Sequence, residues 1–297
     1  MTSLCKSWRI KQIIQNTASH DSFTGDLLWH DRFGAGKLNI AAALNASPAA
    51  TTNAIDDARF YVRQHYRDFL NRPPDQGGLD YWTSQITNCG SDTACVQSRR
   101  LGVSAAFYIE LEFQETGNFV YRFYRASYGR QPAFVEFLPD RSLIIVGPAL
   151  EASKQSFAED WVARDAFKQV YPDTLSPDQF VNQLFDSAQL TPYLAEREQE
   201  TRAMIDNGRT RAQVLRSVIE IQAFRDREYN PAFVLMQYFG YLRRNPDPGG
   251  YGFWLNVLNN RVPGNYHAMV CAFITSAEYQ LRFGTAVTRT NHDCSQP

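Results

Sequence analysis

One phrase, aromatic-Val-x-x-x-aromatic, occurs four times along the chain, and that repetition limits the fold to a small unit used several times over. It stands at Tyr61-Val62 with Tyr66, Phe119-Val120 with Tyr124, Phe180-Val181 with Phe185, and Phe233-Val234 with Tyr238, with starts 58, 61 and 53 residues apart. In copies one, two and four an arginine follows the second aromatic by six positions (Arg72, Arg130, Arg244) and a proline comes two residues later (Pro74, Pro132, Pro246). Copy three departs, with Thr191-Pro192 in that place. Copies one and four agree most closely, NRPPDQGGLDYW from Asn71 to Trp82 against RRNPDPGGYGFW from Arg243 to Trp254, without a gap.

Each copy opens as a helix with one apolar face. Val62, Tyr66, Phe69 and Leu70 fall at i, i+4, i+7 and i+8, and Val234, Tyr238, Tyr241 and Leu242 do the same. Ser176-Pro177-Asp178-Gln179 reads as an N-cap, an N1 proline and a capping-box glutamine, and Asn230-Pro231 reads as a second such start. The Pro-Asp-x-Gly-Gly stretch is turn chemistry, with Gly77, Gly78, Gly249 and Gly250 free to adopt unusual backbone angles. Further apolar-periodic runs close the copies: 103–113, 157–167, 214–224 and 269–279. Leu143-Ile-Ile-Val146, the best strand signal, is short and reads as a loop. The expected fold is all-α: an array of about four helical units of 53–61 residues with a short helical N-terminal extension. The expected boundaries are 1–44, a linker at 45–56, repeats at 57–117, 118–175, 176–229 and 230–284, and a tail at 285–297.

Composition excludes several classes of function. Thirty basic against 31 acidic side chains leave a net charge of −1, so no global field draws the chain to nucleic acid or anionic lipid. No apolar stretch approaches the ~20 residues of a membrane span, and no apolar signal-peptide core follows the first basic residues. The five cysteines show no C-x-x-C spacing, and no H-x-x-x-H pair occurs, so neither a metal nor another cofactor is expected. Cys89 and Cys95 bracket a loop of five residues short enough to bring their Cα atoms to disulfide distance. Cys271, in an apolar-periodic run, reads as a buried thiol, with a bond to Cys294 left open.

The repeats resemble the bacterial family catalogued as domain of unknown function 4214. The residues that carry the likeness are YVRQHYRDFLNRPPDQGGLDYW and FVLMQYFGYLRRNPDPGGYGFW, within residues 57–284, strongest in copies one and four. The resemblance implies a module of secreted or surface-attached bacterial proteins with no established catalytic role. Residues 8–44, with IKQIIQNTA, FTG and FGAGKLNIAAAL, resemble the C-terminal end of a subtilisin-like serine protease domain. The nucleophile, Asp and His motifs of that family would lie upstream of this stretch, so no catalytic residue is carried over.

Remaining chemistry is weighed residue by residue. His20-Asp21, His30-Asp31 and His292-Asp293 suggest half a catalytic triad, yet triad partners meet through the fold and not as neighbours, so these are read as loop residues. Asp75, Asp80 and Asp247 are the carboxylates a calcium loop would use, but Gly252 replaces Asp80 in copy four, which favours a turn with Asp75 and Asp247 as helix caps. Trp82 and Trp254 are read as core, and Arg72, Arg130 and Arg244 as cations capping helix C-termini.

The expected function is a non-catalytic interaction or surface-display module of a bacterial extracellular protein, with a protein or a surface glycan as partner. A fragment of a secreted subtilisin-like protease with a repeat appendage is the second reading, and a carbohydrate- or calcium-dependent adhesin the third.

Overall fold

A computed structural model describes residues 11, 14, 15, 17–19, 35–46, 51–109 and 111–294. It divides into two units, residues 1–52 with 284–286, and residues 53–283 with 287–297. In the first, Ser19 and Lys37 pair antiparallel through two backbone hydrogen bonds of 2.9 Å, and helix α1 spans Ile40–Ala46.

The second unit is all-α in its described residues. Copy one holds α2 (Ala58–Phe69), α3 (Gln76–Thr87), α4 (Thr93–Ile109) and the short α5 (Leu111–Glu115). Copy two holds α6 (Gly117–Tyr128), α7 (Phe134–Ser142), α8 (Leu150–Ala163) and α9 (Asp165–Val170). Copy three holds α10 (Pro177–Ser187), α11 (Leu194–Asn207) and α12 (Arg211–Glu220), and copy four α13 (Gln222–Gln237), α14 (Pro248–Asn256), α15 (Tyr266–Ile274) and α16 (Ala277–Gln280). π-helical turns extend α13 over Tyr238–Leu242 and α14 over Val257–Arg261. Residues 143–146 form a loop. Residues 53–56, assigned to a linker from the sequence, instead make a 3-10 turn capped by Asn53, with Ile55 buried.

The repeated phrase is the centre of each copy. Tyr61 and Val62, Phe119 and Val120, Phe180 and Val181, and Phe233 and Val234 are all buried, as the apolar stripe of a helix must be when it packs inside a body. Three of the four first helices stop at a non-glycine residue of positive φ: Asn71 (52°), Gln189 (55°) and Arg243 (58°). Gly129 (62°) stops the other, where left-handed backbone costs a glycine nothing. In copy three the stop comes one residue early relative to the others, which brings the proline in one place sooner, at Pro192, while Leu190 takes the arginine's place after the stop.

Asn230-Pro231 does not start a helix. Both lie inside α13, and the Asn230 amide is engaged with Asn259 (2.6 Å) and the Tyr266 hydroxyl (2.8 Å). Proline removes one backbone donor, but packing of the apolar residues on both sides holds the helix continuous, and its fourth-helix and first-helix segments fuse.

The units do not string out as a line with neighbour-only contacts. Copy one packs on copy four and copy two on copy three, each time first helix to first helix and third to third: α2 against the π turn of α13, α4 against α15, α6 against α10, α8 against α12. Helices α6 and α13 join the two pairs. Gly240 is a point of close approach in the outer pair, since a Cβ there would collide with the Phe69 ring.

Candidate functional site

The turns of copies one and four are built alike. Asp75 Oδ1 accepts the Gly78 amide (2.8 Å) and Asp247 Oδ1 the Gly250 amide (2.7 Å), so both carboxylates are spent as N-caps. The Gly78 amide bond holds the Asp75 carboxyl below its usual range. Asp80 is depressed too, bonded by Arg59 (2.7 Å) and Gln76 (2.7 Å). Among the described residues no group of acidic, His or Cys side chains is arranged to hold a metal ion. Gly77 and Gly249 lie in the first turns of α3 and α14. Gly78 and Gly250 are the tight positions, because a Cβ on either would strike the hydroxyl of Tyr66 or Tyr238.

Arg72, Arg130 and Arg244 do not cap helix C-termini. Each lies over the tyrosine of its own phrase, grips a glutamate with two hydrogen bonds, and donates to the carbonyl of the next residue. Arg72 takes Glu112 (2.6 and 2.6 Å), Arg130 takes Glu136 (2.8 and 2.8 Å), and Arg244 takes Glu278 (2.6 and 3.0 Å). In copy two Glu136 also accepts the Ala133 amide (2.7 Å), so one side chain serves as arginine partner and helix cap together. The helix ends are met by other arginines: Arg141 on Phe69 O (2.6 Å), Arg125 on Gly129 O, Arg227 on Ala188 O (2.6 Å), and Arg282 on Tyr241 O (2.6 Å). Burial, joined by the nearby charges of Arg243 and Arg72 and opposed by that of Glu112, pulls Arg141 down to about 9. Except for Arg125, these helix-end partners are 39 to 72 positions away and leave no local sequence signal.

Seven residues after the N-cap of each second helix stands one position we term the seat. It holds Trp82, Asp140, Glu200 and Trp254 after N-caps Asp75, Ala133, Tyr193 and Asp247. Trp82 and Trp254 are half-buried and wedge between second and third helices, facing Phe107 (5.7 Å) and Phe273 (6.2 Å). Beside them Tyr81 and Phe253 are 57% and 48% exposed, so the two tryptophans edge the core and do not lie within it. In copies two and three the seat is a buried carboxylate met by an arginine: Asp140 by Arg164 (2.9 Å) and the Tyr124 hydroxyl (2.6 Å), Glu200 by Arg209 (2.7 and 2.8 Å). Among the described residues the fully buried tryptophan is Trp161 on α8, whose indole donates to Ser127 Oγ (3.0 Å).

Copy three has no aromatic wedge. Ala203 on α11 and Ser217 on α12 border the space instead, and a groove of about 1020 Å³ lies open between the two helices. Arg202, Arg209 and Arg216 line it together with Glu198 and Glu220. Gln199, Asn207 and Ser217 also line it, with side chains that make no hydrogen bond among the described residues.

A serine and a histidine meet elsewhere, in the seam of copies one and four. His65 Nδ1 donates to Tyr61 O (2.8 Å), so Nε2 accepts the Ser104 hydroxyl (2.7 Å), and Ser104 in turn meets the Tyr241 hydroxyl. The connectivity is that of a nucleophile and base. His65 and Ser104 are each 1% exposed, however, and burial drives the imidazole down to about 3. The relay is a satisfied polar core contact. Of the other histidine pairs, His292-Asp293 lies in a surface 3-10 turn, while His20-Asp21 and His30-Asp31 fall outside the described residues.

Cys89 and Cys95 are joined with Cα atoms 5.6 Å apart. Cys271 is not a free thiol: it is bonded to Cys294, Cα to Cα 5.7 Å. No described helix is long and apolar enough to cross a membrane.

Comparison with known proteins returns one family, described as Domain of unknown function (DUF4214), matching residues 41–96 and 217–283. The matched segments contain the two tryptophan seats, and copy two lies outside them. No curated protein and no solved structure matches the chain. The likeness of residues 8–44 to a subtilisin-like domain finds no support among these matches, and most of that stretch lies outside the described residues.

Proposed function

We propose that this chain is a non-catalytic interaction module of a bacterial extracellular protein, and that it takes an extended polypeptide in the groove of copy three. The observation that carries this reading is the groove itself, which opens between the same two helices that a tryptophan wedges in copies one and four. Free amides at Gln199 and Asn207 suit the alternating donors and acceptors of a peptide backbone, and guanidiniums and carboxylates of both signs suit its side chains. A sealed Ser104–His65 pair supports the non-catalytic part, because no substrate carbonyl has room beside it. Two disulfides support an oxidising compartment.

The test is binding of the full chain to immobilised surface polypeptides of the producing cell, with Ala203→Trp as the groove-filled variant. The reading predicts that Ala203→Trp, folded by circular dichroism, loses binding while Trp82→Ala keeps it. Equal binding by Ala203→Trp overturns it. A second reading, stacking of a surface glycan, is favoured by the exposed rings Tyr81 and Phe253 beside their tryptophans. It predicts the reverse pattern on a glycan panel, with loss in Tyr81→Ala and Phe253→Ala.

A further inference from the structure

The tail does not trail from the fold. Residues 287–294 run back over the seam between copies one and four. Buried Gln280 grips them, its Oε1 accepting the Thr288 and Arg289 amides (2.8 and 3.0 Å) and its Nε2 donating to Arg289 O (2.8 Å). Arg289 then reaches copy one, donating Nε to Asp56 Oδ1 (3.0 Å) and a terminal nitrogen to Gln97 Oε1 (2.9 Å). Asn291 accepts the Thr275 hydroxyl (2.9 Å), and the strap ends on the bond from Cys294 to Cys271 in α15. Val287 is 46% exposed and the remaining strap side chains are mostly polar, so no apolar anchor secures it. These hydrogen bonds, those to buried Gln280 included, do not outweigh the backbone entropy of ordering eight residues. The covalent bond is what keeps the strap in place.

We propose that the Cys271–Cys294 disulfide is a redox-operated latch: oxidised, it fastens strap 287–294 across the copy one–copy four seam; reduced, it releases the strap and widens the recess that Cys294 borders. That recess, about 260 Å³ between α4 and α15, is lined by Gln97, Ser98, His267 and both sulfurs. Cys294 is part-exposed and Cys271 is 1% exposed, so the sulfur an incoming thiolate reaches is that of Cys294. A dithiol reductant forms a mixed disulfide with Cys294 and expels Cys271 as a thiolate, which takes a proton. The second thiolate of the reductant then closes on the first, freeing Cys294, and two electrons pass from the dithiol to the protein bond. Cys89–Cys95 spans only a local turn and fastens nothing distant.

The test is hydrogen exchange on the full chain before and after dithiothreitol, with alkylation to count the thiols released. The latch predicts exchange in 287–294 rising about 100-fold on reduction, near what a loop of this length releases, while α2, α6 and α10 keep their protection. Cys271→Ser with Cys294→Ser shows the same loose strap without reductant, and Cys89→Ser with Cys95→Ser leaves it tight. Arg289→Ala, which keeps both sulfurs, loosens the oxidised strap by less than tenfold. The proposal is overturned if dithiothreitol fails to open the bond below unfolding concentrations, if strap protection survives full reduction, or if all helices lose protection together.

Discussion

The outer pair of units, copies one and four, and the inner pair, copies two and three, dock through the same helices and fill the seat with opposite chemistry. One pair uses the wide apolar wedge of Trp82 and Trp254. The other uses a buried carboxylate, Asp140 or Glu200, paired with an arginine. A helix pair therefore needs its seat filled or its polarity satisfied, and either solution holds the fold. The consequence differs between them. A wedge closes the space between second and third helices, whereas in copy three Glu200 is held by Arg209 and the space beyond stays open as the groove.

The largest expected effect lies in the inner pair, at the tryptophan fully inside it. Trp161→Ala should cost about 3–5 kcal/mol in urea unfolding, while Trp82→Ala and Trp254→Ala, half-buried, should cost about 1.5–3 kcal/mol each. Equal losses at all three positions would erase the distinction between core ring and wedge.

The carboxylate seats come next. Arg164→Ala and Arg209→Ala each strand a buried carboxylate whose arginine is partly in water, so we expect about 1–3 kcal/mol, below the 3–5 of a fully buried pair. Rescue by Asp140→Asn or Glu200→Gln in the same chain should recover part of that loss, because the uncompensated charge is then gone. No recovery would assign the arginines a packing role alone.

The outer pair alone carries a buried histidine in its seam, which makes its stability pH-dependent. The folded imidazole of His65 titrates at about 3 because of burial, against 6.5 unfolded. Between those values the unfolded chain binds a proton that the folded chain refuses. Its contribution is thus complete above pH 6.5 and lost as pH falls, about 2 kcal/mol by pH 5. His65→Phe should flatten that slope between pH 6.5 and 5; an unchanged slope would place its origin elsewhere. The smallest effect is Gly78→Ala or Gly250→Ala, about 1–2 kcal/mol as the tyrosine hydroxyl is pushed off the helix start. Tyr66→Phe in the Gly78→Ala background should return most of it.

Much of this was readable along the chain because it depends on neighbours. The helical period, the Ser176 capping box and the short Cys89–Cys95 loop all act within a few residues. What was hidden acts at a distance. Asp140 keeps the tryptophan's spacing, sixteen residues after Tyr124 as Trp82 is after Tyr66, but nothing local tells that Glu200 replaces a tryptophan, since copy three is one residue short and the register is lost before the seat. Arg72, Arg130 and Arg244 sit where a helix-capping cation belongs, yet the glutamates of copies one and four, which lie 40 and 34 residues away, claim Arg72 and Arg244. Asn230-Pro231 has the form of a start, and only the packing of α13 shows that the helix runs through it. Trp161 lies in the apolar-periodic run 157–167, whereas His65 is a polar residue with no signal of burial, so its place in the core came from the fold alone.

Closure of copy one on copy four is the central claim, and the ion pair of Asp68 with Arg282 tests it most directly. These side chains lie 214 positions apart in sequence and 2.9 Å apart in the fold, with Asp68 nearly sealed from water. A double-mutant cycle with Asp68→Asn and Arg282→Gln should return a coupling energy of about 1–2 kcal/mol. Losses that add to within about 0.3 kcal/mol would mean that the two ends of the repeat series do not meet.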